Sequence, residues 1–239
     1  MNKTSNKQSF SKIAVIPARG GSTRLKNKNI YPLYGKPLIC YTIEAILKAD
    51  IFDSIVVSTD SKKIAKVASD YDVQIYDREP EFSTEKITVL EALIDMMKKI
   101  KKHDIFSFFL PTCPLRNSDD VKNGMALLTQ DVDSVISISD FSEPIQLALI
   151  KRDETIIPVF DNLTAGLTNS KFIQKYYRPN GSFYISWWDN LIHKKNFFHG
   201  NIVGYKMPKI RSVDIDDLCD IIIAEGIIKY QKNVKEQVC

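Results

Sequence analysis

The junction after Ile13-Ala-Val-Ile16 constrains the fold most. There an apolar, strand-forming run opens directly into Pro17-Ala-Arg-Gly-Gly-Ser-Thr-Arg-Leu-Lys-Asn-Lys-Asn29. Gly20 and Gly21 permit backbone conformations that turn amide groups inward, and Ser22 follows them. Arg19, Arg24, Lys26 and Lys28 add charge that a folded loop gathers only against an anion, and a polyphosphate fits best. The loop lacks the Gly-Lys-Ser/Thr ending of a P-loop and the three-glycine spacing of a dinucleotide fingerprint, which argues against an ATPase and a dehydrogenase. A solvated basic turn is the plainer alternative.

The rest of the first half repeats the same grammar. Ile13 to Ile16, Ile55 to Ser58, Val73 to Tyr76, Phe106 to Leu110 and Ser134 to Ile138 read as strands. Between them Pro37 to Lys48, Ser61 to Ser69, Thr88 to Lys101 and Asp119 to Leu128 carry apolar residues at helical spacing, with Ser61 and Ser118 as caps. This alternation predicts an α/β fold: a mostly parallel, Rossmann-like nucleotide-binding sheet covered by helices, with the ligand at the carboxyl ends of the strands. Residues 1–11 form a flexible N-terminal segment in this reading, and residues 12–239 a single domain. Between about 141 and 175 the helical period disappears, and the stretch reads as an insertion, a flap or dimerisation arm. Regular structure resumes at Gly181 to Ser186, with a further strand near Arg211 to Ile215 and a last helix from Leu218 to Tyr230.

With 239 residues and 44% hydrophobic content the chain can bury a full core. A net charge of +4 is too small to argue for nucleic-acid binding and favours a small anionic ligand. The longest apolar runs are strand-sized and the first residues are polar, so neither a membrane nor an export route is expected, and the cytoplasm is. Cys40, Cys113, Cys219 and Cys239 have no zinc or redox spacing and read as reduced thiols.

Chemistry concentrates at a few places. Asp214 and Asp216 flank Ile215, and in extended chain residues two apart share a face. Two carboxylates then repel unless a cation lies between them, and oxygen ligands beside a phosphate suggest Mg²⁺. The competing role is capping of the last helix by Asp216 or Asp217. Asp60 ends a strand at the expected ligand edge, where a turn or cap role competes. Leu110-Pro-Thr-Cys-Pro-Leu-Arg116 is a stiffened loop expected to display Thr112 and Arg116 at that edge. Arg178 to Ser182 reads as a turn before a strand. His103, His193 and His199 show no metal spacing, and Trp187 and Trp188 read as core or subunit contacts. Phe197 and Phe198 either join them or wall a pocket.

Taken in order, IPARGGSTRLKNKN, GKPLICYTIEA, VVSTD, PTCPLR, RPNGSFYI and SVDID resemble the CMP-sialic acid synthetases, cytidylyltransferases of acidic nine-carbon keto sugars. The resemblance spans Lys12 to Tyr230. It implies that CTP is bound by Arg19, Gly20, Gly21, Ser22, Arg24, Lys28, Asn29 and Arg78, with Arg19, Lys28 and Asp214 catalytic and Mg²⁺ on Asp214 and Asp216. It also implies a homodimer in which the inserted segment reaches the neighbouring active site. The sugar would meet Ser83, Leu110, Thr112, Gln146, Lys171, Phe197 and Phe198. Departures from the family pattern collect in this sugar half. Thr23 replaces a lysine, Leu110 a glutamine, Cys113 a serine and Gln146 a lysine; Thr84-Glu85 replaces an Asp-Thr pair, and Ser170-Lys171 an arginine-glutamine pair. A less polar site points to a relative of sialic acid such as legionaminic or pseudaminic acid. The rival readings are activation of another sugar acid such as Kdo, and a nucleotide-binding regulatory module without turnover.

Overall fold

A computed structural model describes residues 10–169 and 171–238, with side chains of the last helix described as far as residue 234. Most of the expected N-terminal segment, together with Ser170 and Cys239, lies outside the described residues. Phe10 and Ser11 are tied down: Phe10 meets Trp187 edge-on at 5.0 Å, and Ser11 is bonded to Asp104 at 2.7 Å.

The strands are β1 (Lys12–Pro17), β2 (Pro32–Leu33), β3 (Lys36–Pro37), β4 (Ser54–Thr59), β5 (Gln74–Asp77), β6 (Ile105–Phe108), β7 (Ser134–Asp140), β8 (Leu149–Arg152), β9 (Thr155–Pro158), β10 (Tyr177–Trp187) and β11 (Ile202–Lys206). The helices are α1 (Leu38–Ala49), α2 (Lys62–Ala68), α3 (Val89–Lys99), α4 (Ser118–Ala126), α5 (Trp188–Lys194) and α6 (Leu218–Val238). Seven strands form one sheet in the order β11-β7-β10-β6-β1-β4-β5. The pairs of β1 with β4 and β6, of β4 with β5 and of β7 with β11 are parallel, and β10 runs antiparallel between β6 and β7. This is the mostly parallel α/β sheet expected from the alternation. β1 lies inside it with Ile13 to Ile16 all buried, so the glycine-rich loop leaves from a rigid strand end.

Caps explain several helix starts. Ser61 caps α2, and Thr88 with Glu91 forms a capping box on α3. At α4 the cap is Asn117 rather than the expected Ser118: its side chain accepts from the Asp120 amide at 2.9 Å, and Asp120 reciprocates at 3.0 Å.

Two expectations are corrected. The strand expected at Arg211 to Ile215 is a 3-10 turn, Lys209–Arg211, followed by irregular chain. The strand lies upstream as β11, where a Cβ on Gly204 would come within 2.6 Å of Ile138 Cδ1. The turn expected at Arg178 to Ser182 lies within β10, where the register with β7 shifts between Pro179 and Tyr184 and Gly181 adopts φ +74°. Residues 141–176 leave the sheet and include the β8–β9 hairpin, which exposes Leu149, Ile150, Ile156 and Ile157.

Candidate functional site

At the carboxyl ends of β1 and β4 the loop is pinned from both sides. The Ala18 amide extends the strand pairing to Ser58 at 2.9 Å, and the Gly20 amide donates to Asp60 Oδ1 at 2.7 Å. Asp60 therefore anchors the loop, while the capping role falls to Ser61. A Cβ on Gly20 would approach Ser61 Cβ to 3.0 Å, so the loop lies against the start of α2. Further on, Asn27 takes a left-handed conformation and a short 3-10 turn follows at Lys28–Ile30. Buried Asn29 donates to the Arg19 carbonyl at 2.9 Å and closes the loop on itself.

The loop walls a cavity of about 410 Å³. Arg19, Ser22, Thr23, Arg24, Lys28 and Asn29 line one side. Leu110, Thr112, Asp214 and Asp216 line another, and Arg78 and Thr84 a third. Four loci far apart in sequence thus meet at one opening. Arg19 donates to the Thr84 carbonyl at 3.2 Å. Buried Arg78 donates to Ser58 Oγ at 3.3 Å and to the Ser58 carbonyl at 3.0 Å. Burial lowers the pKa of its guanidinium, an effect that nearby Asp60 opposes.

The two aspartates have unequal surroundings. Asp216 Oδ1 receives both Lys28 Nζ and Arg24 Nη2 at 2.9 Å. Burial alone would raise its pKa, but these cations, Lys28 foremost, hold it below the ordinary carboxylate value. Asp214 is raised by burial, with the charge of Asp216 adding to it, against a hydrogen bond from Thr112 and the weaker pull of Lys28 and Arg178. The capping alternative holds for Asp217 and not for Asp216. Asp217 accepts from the Cys219 amide at 2.8 Å, and Asp220 accepts from the Asp216 and Asp217 amides at 2.8 and 3.1 Å. Asp216 thus keeps its carboxylate for the cavity.

Beneath Asp214 the floor is tightly built. The Ile215 amide donates to the Thr112 carbonyl at 2.7 Å. Buried Cys113 donates to the Asn180 carbonyl at 3.1 Å, and its sulfur lies 3.8 Å from Asp214 Oδ1. Burial and the neighbouring carboxylate push this thiol far up, so it is packing rather than a nucleophile. Two hard oxygen donors, repelling each other across a phosphate-sized opening, fit Mg²⁺. Among the described residues no group of three or more His, Cys, Asp or Glu could hold an ion. Asp214 and Asp216 would therefore share it with phosphate oxygens and water.

Other expected site residues are placed elsewhere. Arg116 is not displayed at the cavity edge: it is buried and donates to the carbonyls of Leu110 and Ser182 and to Thr42 Oγ1. Ser83 faces a neighbouring cavity behind Arg78, and its hydroxyl donates to the Glu79 carbonyl at 3.2 Å. Gln146 is buried at a separate cavity, where its amide donates to the Gln174 carbonyl at 2.8 Å; Lys171 is exposed and lines neither. Phe197 is packed against Phe108 and Tyr184, and Phe198 is exposed beside Tyr184. Neither phenylalanine lines the cavity with Asp214. Sequence reasoning missed the wall formed by Phe82, Ile87, Thr88 and Val89. The resemblance pointed to Thr84-Glu85 between them, and the helix start at Thr88 fixes where α3 begins and hence what precedes it.

Comparison with known proteins agrees with this geometry. The family model described as cytidylyltransferase matches residues 13–107. An N-acylneuraminate cytidylyltransferase of Escherichia coli O18:K1:H7 is 31% identical over 228 residues, 95% of this chain; the chain spans only about half, 54%, of that relative. The CMP-N,N'-diacetyllegionaminic acid synthase of Legionella pneumophila is 33% identical over 229 residues, 92% of this chain and 97% of its own length. The solved structure of a CMP:2-keto-3-deoxy-manno-octonic acid synthetase complexed with CTP superposes with a TM-score of 0.67, covering 92% of this chain and 99% of that one. At 16% identity it speaks for the fold alone. By its identity to relatives across nearly its whole length, the chain belongs to the cytidylyltransferase family.

Proposed function

We propose that the chain transfers CMP from CTP to the anomeric hydroxyl of an acidic nine-carbon keto sugar and releases pyrophosphate. The observation that carries this reading is the meeting of Arg19, Lys28, Arg78, Asp214 and Asp216 around one cavity. Arg19, Lys28 and the Gly21 amide would hold the phosphates, with Ser22 and Arg24 in reach and Asn29 and Arg78 fixing the nucleoside end, whereas the Gly20 amide is spent on Asp60. The sugar oxygen bonds to the α-phosphorus as the bond from that phosphorus to the β-phosphate oxygen breaks. The leaving pyrophosphate keeps that electron pair beside the loop cations. Mg²⁺ bound at Asp214 and Asp216 would neutralise charge on the phosphates and acidify the sugar hydroxyl. Asp214, the carboxylate of the pair that neither Lys28 nor Arg24 holds, is the proposed acceptor of that proton.

Within this class a diacetamido-trideoxy sugar of the legionaminic type is the proposed preference. Leu110, Ile87 and Val89 give the cavity an apolar side, and a methyl-ended tail needs fewer hydrogen-bond partners than a polyhydroxylated one. Gln146 and Lys171 lie away from this cavity on the inserted segment, which supports a homodimer that delivers them to a neighbour's sugar, with the exposed apolar hairpin as the contact. No helix of the described residues is long and apolar enough to cross a membrane. The test is pyrophosphate release from CTP with a panel of acidic sugars, comparing kcat/KM at saturating CTP. Preference for N-acetylneuraminic acid would overturn the sugar assignment, preference for Kdo the nine-carbon class, and no release with any sugar the enzymatic reading.

A further inference from the structure

The ion pairs of Asp216 carry a consequence for the order in which the site fills. Lys28 Nζ and Arg24 Nη2 both converge on Asp216 Oδ1 at 2.9 Å, so one carboxylate oxygen is shared by two cations. Those same cations sit on the glycine-rich loop whose other polar groups face the cavity. A divalent cation approaching either oxygen of Asp216 is repelled by both of them and competes with them for the carboxylate's charge. Nor can the ion turn to a neighbour: Asp217 and Asp220 are committed to amides at the start of α6. That leaves Asp214, a single half-buried carboxylate, too little for a hard ion that prefers several oxygens.

We propose that Lys28 and Arg24 form a latch on Asp216, and that a nucleoside triphosphate releases Asp216 to the divalent cation by drawing these two cations onto its phosphates. The proposal rests on the assignment of the cavity to CTP and Mg²⁺, and adds the coupling between them. The released carboxylate and the arriving phosphates then face the metal together, so nucleotide and metal bind with positive coupling. By linkage each raises the other's affinity by the same factor, of the order of 5–150-fold for couplings of this kind. The side chains are suited to exchange: that of Arg24 is 67% exposed, so it can swing without disturbing the core, whereas that of Lys28 is 18% exposed and already lines the cavity.

The experiment is Mn²⁺ binding, read by the free-ion electron paramagnetic resonance signal, with and without CTP. Wild type, Arg24→Gln, Lys28→Met and Asp216→Asn are compared after circular dichroism has verified their folding. Without nucleotide, Arg24→Gln and Lys28→Met should bind Mn²⁺ at least about fivefold more tightly than wild type, at the lower end of typical couplings. The enhancement of Mn²⁺ binding by CTP should shrink in both, and Asp216→Asn should bind weakly under either condition. Nucleotide-free affinities in the two cation variants that equal or fall below that of wild type overturn the latch. Because Arg24 is exposed, its variant decides the matter even if Lys28→Met fails to fold. A wild type that does not bind CTP by calorimetry would instead defeat the functional reading, and the nucleotide-free Mn²⁺ arm would still judge the latch.

Discussion

Replacing Arg116 by methionine tests how the floor of the site is held. The guanidinium joins three elements: the loop after β6 through the Leu110 carbonyl, β10 through the Ser182 carbonyl, and α1 through Thr42 Oγ1 at 2.9 Å. Burial lowers its pKa to about 10, so it remains charged at neutral pH at a cost. Such a drop from the ordinary guanidinium value corresponds to roughly 3 kcal/mol against folding. Three hydrogen bonds from a charged donor contribute about 1.5–3 kcal/mol each, roughly 4.5–9 in total. Hydrogen bonding therefore outweighs burial, and Arg116→Met should destabilise the chain by about 1.5–6 kcal/mol. Urea denaturation at pH 7 reads this as a lower midpoint at unchanged slope. Arg116→Lys should recover only part of the loss, since a compact ammonium cannot span three acceptors as a planar fork does. A methionine variant as stable as wild type would refute the reasoning, because the burial cost would then equal or exceed the bonds.

Asp214→Asn and Asp216→Asn should each reduce turnover at least about a hundredfold in a pyrophosphate-release assay. The Asp214 variant should nonetheless melt at a higher temperature at pH 7. A carboxyl raised by burial destabilises the fold as pH rises from the unfolded value of about 3.9 through the folded one, so the gain should vanish below about pH 4. Arg19→Ala and Lys28→Ala should weaken CTP binding by about 1–3 kcal/mol each in calorimetry, whichever sugar is present. Gly181→Ala should cost at least about 1 kcal/mol in denaturation. Its φ is +74°, and the added Cβ would lie 3.2 Å from Leu110 Cδ1 and 3.3 Å from Cys113 Sγ.

Local signals were legible and long-range ones were not. The first strand, its glycine loop and the helices from α1 to α3 could be read because period, caps and turn residues act within a few positions. The pairing of Asp214 with Asp216 was legible for the same reason, since they are two residues apart on irregular chain that still points both at the cavity. Arg116 misled because a lone arginine in a proline-rich loop looks exposed, and nothing nearby in sequence announces the carbonyls of Leu110 and Ser182 that claim it. β11 escaped because Gly204 argues against a strand until Ile138 of the neighbouring strand is known to need the space. The wall from Phe82 to Val89 has no motif; it lines the site only because β5 and α3 fix its two ends.

The charges around the cavity explain why its cations and carboxylates occur together. Arg19, Arg24, Lys28 and Arg78 face Glu85, Asp214 and Asp216, which leaves about one positive charge in excess. A bound triphosphate carries about four negative charges and would leave the site strongly negative. Adding one divalent cation returns it to about minus one. More arginine or lysine in place of the aspartates would balance the charge as well, but would bind substrate and pyrophosphate tightly alike and slow product release. With carboxylates the balance depends on an ion that arrives with the nucleotide and can leave with pyrophosphate. With a triphosphate and one divalent cation bound, Asp214 and Asp216 would thus bring the site to about minus one without making it permanently cationic, and in the free chain Lys28 and Arg24 offset the charge of Asp216.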